Sequence, residues 1–182
     1  MPKPIFFFKE DTEHGYLCQW YPAPFTTADG VTFNCAEQWM MWSKARMAGD
    51  DSSQTAILKT KEPRKQKSLG RKVKGFDDAK WDEIKSAVVE EGNYLKFTQN
   101  ESLRKRLLET GDRELAEASS FDRVWGIGYS AGEAAKAPRD SWGQNLLGKA
   151  LVRVRERTRK EEDERVTRDN AAGEGNGQRS SE

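Results

Sequence analysis

Two periodicities divide this chain. Short apolar runs at its beginning, Ile5–Phe8 and Tyr16–Trp20, are separated by the turn-like Glu13-His14-Gly15, and Val31–Phe33 follows an Asp29-Gly30 turn. β-prone runs bounded by turn residues predict strands, here a small antiparallel sheet. From Ala36 to Ala48 helix formers take over, with Gly49 placed as the residue after the helix. Short helices are expected over Ser53–Leu58 and Pro63–Leu69, the second with Pro in its first turn and Gly70 behind it. Asp77 or Asp78 can cap a longer helix in which Trp81, Ile84, Val88 and Leu95 recur at helical spacing, with Gly92 as a point of interruption.

Glu101–Glu109 reads as a helix carrying Leu103, Leu107 and Leu108, and Leu115–Ser119 as a returning strand. A loop with Gly126 and Gly128 precedes a last helix from about Gln144, marked by Leu147, Leu151 and Val154. Beyond Val154 the apolar stripe thins, and Arg155 to Glu182 is almost wholly charged or small and polar, ending in Gly173, Gly175 and Gly177. Such a segment buries too little apolar surface to offset the entropy of ordering it. The fold class expected is α+β: a single compact, mainly helical domain over 1–155 with a small antiparallel sheet, then a charged, fraying or disordered tail over 156–182.

Composition narrows the chemistry. The length of 182 residues suits one domain, and a net charge of +1 gives no global reason to expect nucleic acid or membrane as the main partner. Cys18 and Cys35 form no ligand-like spacing and read as reduced thiols of a cytoplasmic, or cytoplasmic and nuclear, protein without a leader or membrane span. A single histidine, His14, in a turn near the N-terminus makes a Ser-His-Asp, Cys-His or multi-His metal mechanism hard to build. No metal and no cofactor is expected, so acid–base work falls to carboxylates.

Glu37 opens the first helix, and Lys44, seven residues on, lies about two turns or roughly 10.5 Å along the same face. One face can thus present an acid and a cation to one ligand; the alternative is a Glu that complements the helix dipole and a solvated Lys. In the string from Leu115 to Gly128, Asp122 suits ribose hydroxyls, Trp125 suits stacking on a base, and Gly126 and Gly128 allow close backbone approach, or else the segment is an Asp-capped turn with a core Trp. Gly126-Ile127-Gly128-Tyr129-Ser130-Ala131 mimics a dinucleotide fingerprint but lacks the βαβ context. Asn145 is either a helix N-cap or a ligand-binding amide. The basic stretch from Lys59 to Lys74 is a solvated face, a nuclear address, or a phosphate site at Arg71.

Taken together, several strings resemble the NADAR, or YbiA-like, superfamily from about Phe6 to Arg155. They are Gln19-Trp20-Tyr21-Pro22-Ala23-Pro24-Phe25, Ala36-Glu37-Gln38-Trp39-Met40-Met41 with Lys44-Ala45-Arg46, Leu69-Gly70-Arg71-Lys72-Val73, Gly92-Asn93 with Lys96-Phe97, Leu108-Glu109-Thr110-Gly111-Asp112, Glu117 to Gly128, and Asn145-Leu146-Leu147-Gly148. Ser120, where Pro is usual, the bulky Trp42, and Trp142 directly before Gly143 depart from the pattern.

The resemblance implies a metal-free N-glycosidase that hydrolyses the C1′–N bond of a phosphorylated ribosylamine, such as a riboflavin-pathway intermediate, or of ADP-ribosylated guanine in nucleic acid. A non-catalytic ADP-ribose-binding module is the alternative. It implies Glu37 at the family's acidic position, Lys44 at its lysine, and Trp81, Asp122, Trp125 and Asn145 in the pocket. In the expected mechanism Glu37 handles water or the sugar cation, and Asp122 holds ribose hydroxyls or serves as the second carboxylate. Trp81 or Trp125 stacks on the base, while Lys44 and Arg71 meet phosphate.

Overall fold

The computed structural model describes residues 2–176, and for 171–176 the backbone alone. The elements are β1 (Ile5–Phe7), β2 (Phe25–Thr26), β3 (Thr32–Phe33), α1 (Ala36–Met47), α2 (Asp51–Lys59), α3 (Pro63–Gly70), α4 (Asp78–Thr98), α5 (Glu101–Leu108), β4 (Leu115–Glu117), α6 (Ala131–Ala134) and α7 (Leu146–Asn176). The mainly helical α+β body with little sheet is as expected, but the strands form two separate pairs. β2 and β3 pair antiparallel, whereas β1 pairs parallel with β4, aligning Phe7 with Glu117. Tyr16 and Leu17, expected in a strand, lie in a 3₁₀ turn, where both are buried.

Local chemistry sets the helix boundaries. Asp50 caps α2 by accepting from the Ser53 N–H at 3.0 Å, and Asp77 caps α4 by accepting from the Lys80 N–H. Gly92 does not interrupt α4. The Trp39 indole lies against it, so that a Cβ there would sit 2.2 Å from a ring carbon, and the indole N–H donates to the Val88 carbonyl at 2.7 Å. The glycine is needed for close packing of α1 on α4. The core beneath them includes Phe33, Val89, Phe97, Leu107, Leu147 and Leu151, all fully buried.

Buried amides set the helices around the future site. Gln38 of α1 donates to the Ile57 and Thr60 carbonyls and accepts from the Asn34 N–H, while Gln66 of α3 donates to Asn34 and Thr60. α1 and α3 are therefore locked side by side. From α4, Asn93 donates to Gln19, and Lys96, fully enclosed beneath the Tyr21 and Phe97 rings, donates to the Cys18 carbonyl at 2.9 Å. Together they pin the segment that runs into Trp20.

α7 crosses residue 155 without a break. Arg155 is buried and donates to the Thr110 hydroxyl and the Arg113 carbonyl, Thr158 is 2% exposed, and the Arg157 guanidinium lies 3.4 Å from the Tyr94 ring centroid. Arg104 pairs with Glu162 and Arg159 with Asp112, so packing continues to about Glu162. The disordered tail expected at the end falls in part on 177–182, outside the described residues. Among the described residues, no helix is long and apolar enough to cross a membrane, and no group of three or more His, Cys, Asp and Glu is arranged to hold a metal.

Candidate active site

One cavity of about 860 Å³ opens between α1, α3, the N-terminal segment from Phe8 to Trp20, and the loop that leaves β4. α1 contributes Glu37, Met40, Met41 and Lys44, which follow one another at i, i+3, i+4 and i+7 and so form one stripe. α3 and its cap contribute Arg64, Lys67 and Arg71 on a similar stripe. None of these four cations, Lys44 included, has an ion-pair partner within 4.0 Å among the described residues. Unpaired cations facing one hollow suit an anionic ligand.

Glu37 is 5% exposed, and its Oε1 is enclosed without a hydrogen-bond partner. Its backbone N–H donates to the Gln19 carbonyl, which ties the first turn of α1 to the pinned segment. Burial pushes its carboxyl above the usual range, while Lys67, Lys44, the Trp20 indole and Arg71 pull it back. Lys44 is half-buried, its Nζ 5.0 Å from the Phe76 ring centroid and 5.1 Å from that of Trp81. Burial lowers its affinity for a proton, and Glu37 and Asp78 oppose this.

A second carboxyl lines the cavity at the end of β4. Glu117 donates its N–H to Asn145 Oδ1 at 3.1 Å and accepts at its carbonyl from the Ile127 N–H at 2.9 Å. Its Oε2 is enclosed with no partner. Burial pushes this carboxyl up to about 8, the nearby charges of Asp122 and Glu37 add to the rise, and Lys67 opposes it. Asp122 differs in kind: its Oδ1 accepts from the Val124 and Trp125 N–H groups, both at 2.8 Å, in a turn that holds the loop. The thiol of Cys18, also on the wall, is pushed up to about 12 by burial, which makes it a poor nucleophile. Both cysteines are free.

Five of the residues singled out from sequence meet at this cavity: Glu37, Lys44, Arg71, Asp122 and Trp125. Three do not. Trp81 is 5% exposed and lies behind Lys44, so its indole supports the ammonium rather than offering a face to a base. Gly126 packs beneath the loop, where a Cβ would meet the Glu117 carbonyl at 2.8 Å and the Asp122 carbonyl at 3.0 Å. Its lack of a side chain serves the fold of the loop, not the approach of a ligand. Asn145 is buried with φ 51°, and its amide donates to the Leu115 carbonyl at 2.9 Å and accepts from Glu117, clamping β4.

Sequence reasoning passed over Glu117, Lys67 and Trp20 as site residues. The spacing of Lys67 from Arg64 and Arg71 marked it, since three cations on one helical stripe point the same way. Glu117 carried a weaker signal, a carboxylate at the last position of an otherwise apolar strand.

The chain is 43% identical over 143 residues to an N-glycosidase of Acanthamoeba polyphaga mimivirus, which covers 76% of this chain and 84% of the relative. A riboflavin biosynthesis protein of Vibrio vulnificus is 31% identical over 86% of this chain, which spans 39% of that protein's length. The NMR structure of the Escherichia coli protein YbiA superposes with a TM-score of 0.73 at 25% identity, over 88% of this chain and 87% of YbiA. With residues 6–159 matching its model, this chain belongs to the NADAR domain family.

Proposed function

We propose that the chain is an N-glycosidase acting on the C1′–N bond of a phosphorylated ribosyl compound, either a ribosylaminopyrimidine phosphate or ADP-ribosylated guanine. The observation that carries this reading is the buried Glu37 carboxyl beside four unpaired cations on one cavity wall. Relatives named N-glycosidase and riboflavin biosynthesis protein support it. Cleavage passes through an oxocarbenium-like state, whose positive charge a carboxylate stabilises at short range in a poorly hydrated site. Glu37 faces the sugar and takes a proton from the attacking water. Lys44, Lys67 and Arg71 hold phosphate, Asp122 accepts from ribose hydroxyls through its second oxygen, and Trp125 stacks on the base.

Two free buried thiols fit a cytoplasmic or nuclear setting, which belongs to the same proposal. Incubating the full chain with each substrate class and following, by mass spectrometry, free pyrimidine amine and ribose phosphate from the first, and ADP-ribose and restored guanine from guanine-ADP-ribosylated DNA, tests the reading. Release from one class identifies the substrate. Binding without release from any of them overturns the reading.

A further inference from the structure

We propose that Glu117 is the second catalytic carboxyl, the acid that protonates the departing nitrogen, in the place the sequence offered to Asp122. The inference rests on the N-glycosidase reading and deepens it. Two carboxyls reach one cavity from different elements, Glu37 from α1 and Glu117 from β4, and each keeps an enclosed oxygen without a partner. An unpartnered polar atom of this kind is costly unless a ligand completes it. Two such atoms on one cavity wall are what a two-carboxyl hydrolysis needs.

Their surroundings divide the roles. Around Glu37 stand the cations Lys67, Lys44 and Arg71 and the Trp20 indole, all of which favour the carboxylate. Around Glu117 stand two acids, Asp122 and Glu37, with Lys67 the one cation opposing them. Burial raises both carboxyls, but the neighbouring charges mostly favour the carboxylate at Glu37 and the acid at Glu117, the division that an acid and a base require. Glu117 thus holds its proton near neutral pH, with a midpoint of about 8, while the cations and the indole around Glu37 suit that carboxyl to accept one. Asp122, its Oδ1 already shared by two backbone N–H groups, is taken up in holding the loop, and its nearby charge helps keep the proton on Glu117.

The step balances. As the C1′–N bond breaks, its electron pair stays on nitrogen, which takes the Glu117 proton. Water adds to C1′ and yields a proton to Glu37. The products are the free amine and ribose 5-phosphate from the pyrimidine substrate, or unmodified guanine and ADP-ribose from the other. Transfer of that proton from Glu37 to Glu117 through solvent restores the starting state.

Two substrates separate this role from a structural one. A ribosylaminopyrimidine 5′-phosphate needs its leaving nitrogen protonated, whereas 4-nitrophenyl ribofuranoside 5-phosphate releases a stable anion without help. Glu117→Gln should lose about 100-fold or more in kcat on the first, the range of acid catalysis, and within about threefold on the second. Glu37→Gln should slow both. Equal losses of Glu117→Gln on both substrates, or under about tenfold on the first, overturn the proposal. Wild-type protein that cleaves no N-linked substrate sinks the underlying reading instead.

A measurement on the unaltered protein covers the case of a variant that misfolds. Carboxyl ¹³C shifts followed against pH should give Glu117 a midpoint near 8. A midpoint below about 5, close to the unperturbed value for Glu, overturns the assignment whatever the kinetics.

Discussion

Replacing Asn145 separates a clamp from a ligand contact. Its buried amide donates to the Leu115 carbonyl at 2.9 Å and accepts from the Glu117 N–H at 3.1 Å. Leu115 is fully buried and Glu117 partly so, and Asn145→Gly leaves the buried carbonyl of the first and the part-buried N–H of the second without their partner. At about 1 kcal/mol per bond lost, and up to about 2 more for the stranded groups, the cost is about 2 to 4 kcal/mol. Asn145→Ala adds about 1 to 2 kcal/mol, because a Cβ is disfavoured in the left-handed region, and φ here is 51°. For a chain of this size about 1 kcal/mol shifts the melting temperature by about 2–4 °C, so calorimetry should show the Gly variant melting roughly 5–15 °C lower and the Ala variant lower still. Because β4 carries Glu117, kcat should fall with KM nearly unchanged. A melting temperature within about 2 °C of wild type together with a KM raised about tenfold would restore the ligand-binding role and refute the clamp.

Glu37→Gln should cost at least about 100-fold in turnover of the substrate identified by mass spectrometry; a loss within about tenfold, roughly 1.4 kcal/mol of barrier, removes Glu37 from the chemistry. Lys67→Met should raise KM for a phosphorylated substrate by about tenfold or more and leave a dephosphorylated analogue nearly unaffected, as expected for a desolvated charge-assisted contact; equal effects on both would argue against a phosphate role. Stability provides an independent check on Glu117. Its folded midpoint of about 8 lies above the unfolded value of about 4.3, so the folded state holds a proton that the unfolded state releases. Its contribution is full below about pH 4.3, falls as pH rises, and is lost above about pH 8. Denaturant titrations should therefore show Glu117→Gln gaining on wild type between pH 5 and pH 9, and a pH-independent difference between the two would contradict a raised midpoint.

What local pattern encodes, the sequence displayed. The Lys44 stripe behind Glu37, the Pro63 start of α3, the Asp77 cap of α4 and the Leu147, Leu151 and Val154 face of α7 are all statements about neighbours within a few turns, and each stands where periodicity put it. Pairing across the chain is different. The parallel partnership of β1 and β4 joins Phe7 to Glu117 through contacts that no local period records, and an antiparallel sheet was the natural expectation from strands close in sequence. Arg155, Arg157 and Arg159 read as the start of a fraying, charged tail because composition cannot see the Thr110, Tyr94 and Asp112 surfaces waiting for them.

The same limit explains the site. Asp122 had the better sequence signature, a carboxylate in a glycine-rich loop, yet its Oδ1 is taken up by two backbone N–H donors that hold the loop turn. Glu117 sits in a three-residue strand and has no local partner for its enclosed oxygen. Its fitness as an acid comes from Glu37 on a helix far away in the chain, from Asp122 across the loop turn, and from the β1 and Asn145 contacts that hold the strand in place. An acid of this kind is a property of assembly, because burial and a neighbouring like charge exist only once the chain has folded. Its proton is then a test of the fold as well as of the mechanism: a change that loosens the Asn145 clamp should let water reach Glu117, return its midpoint toward the ordinary carboxylate range, and weaken acid catalysis before it disturbs phosphate binding on α3.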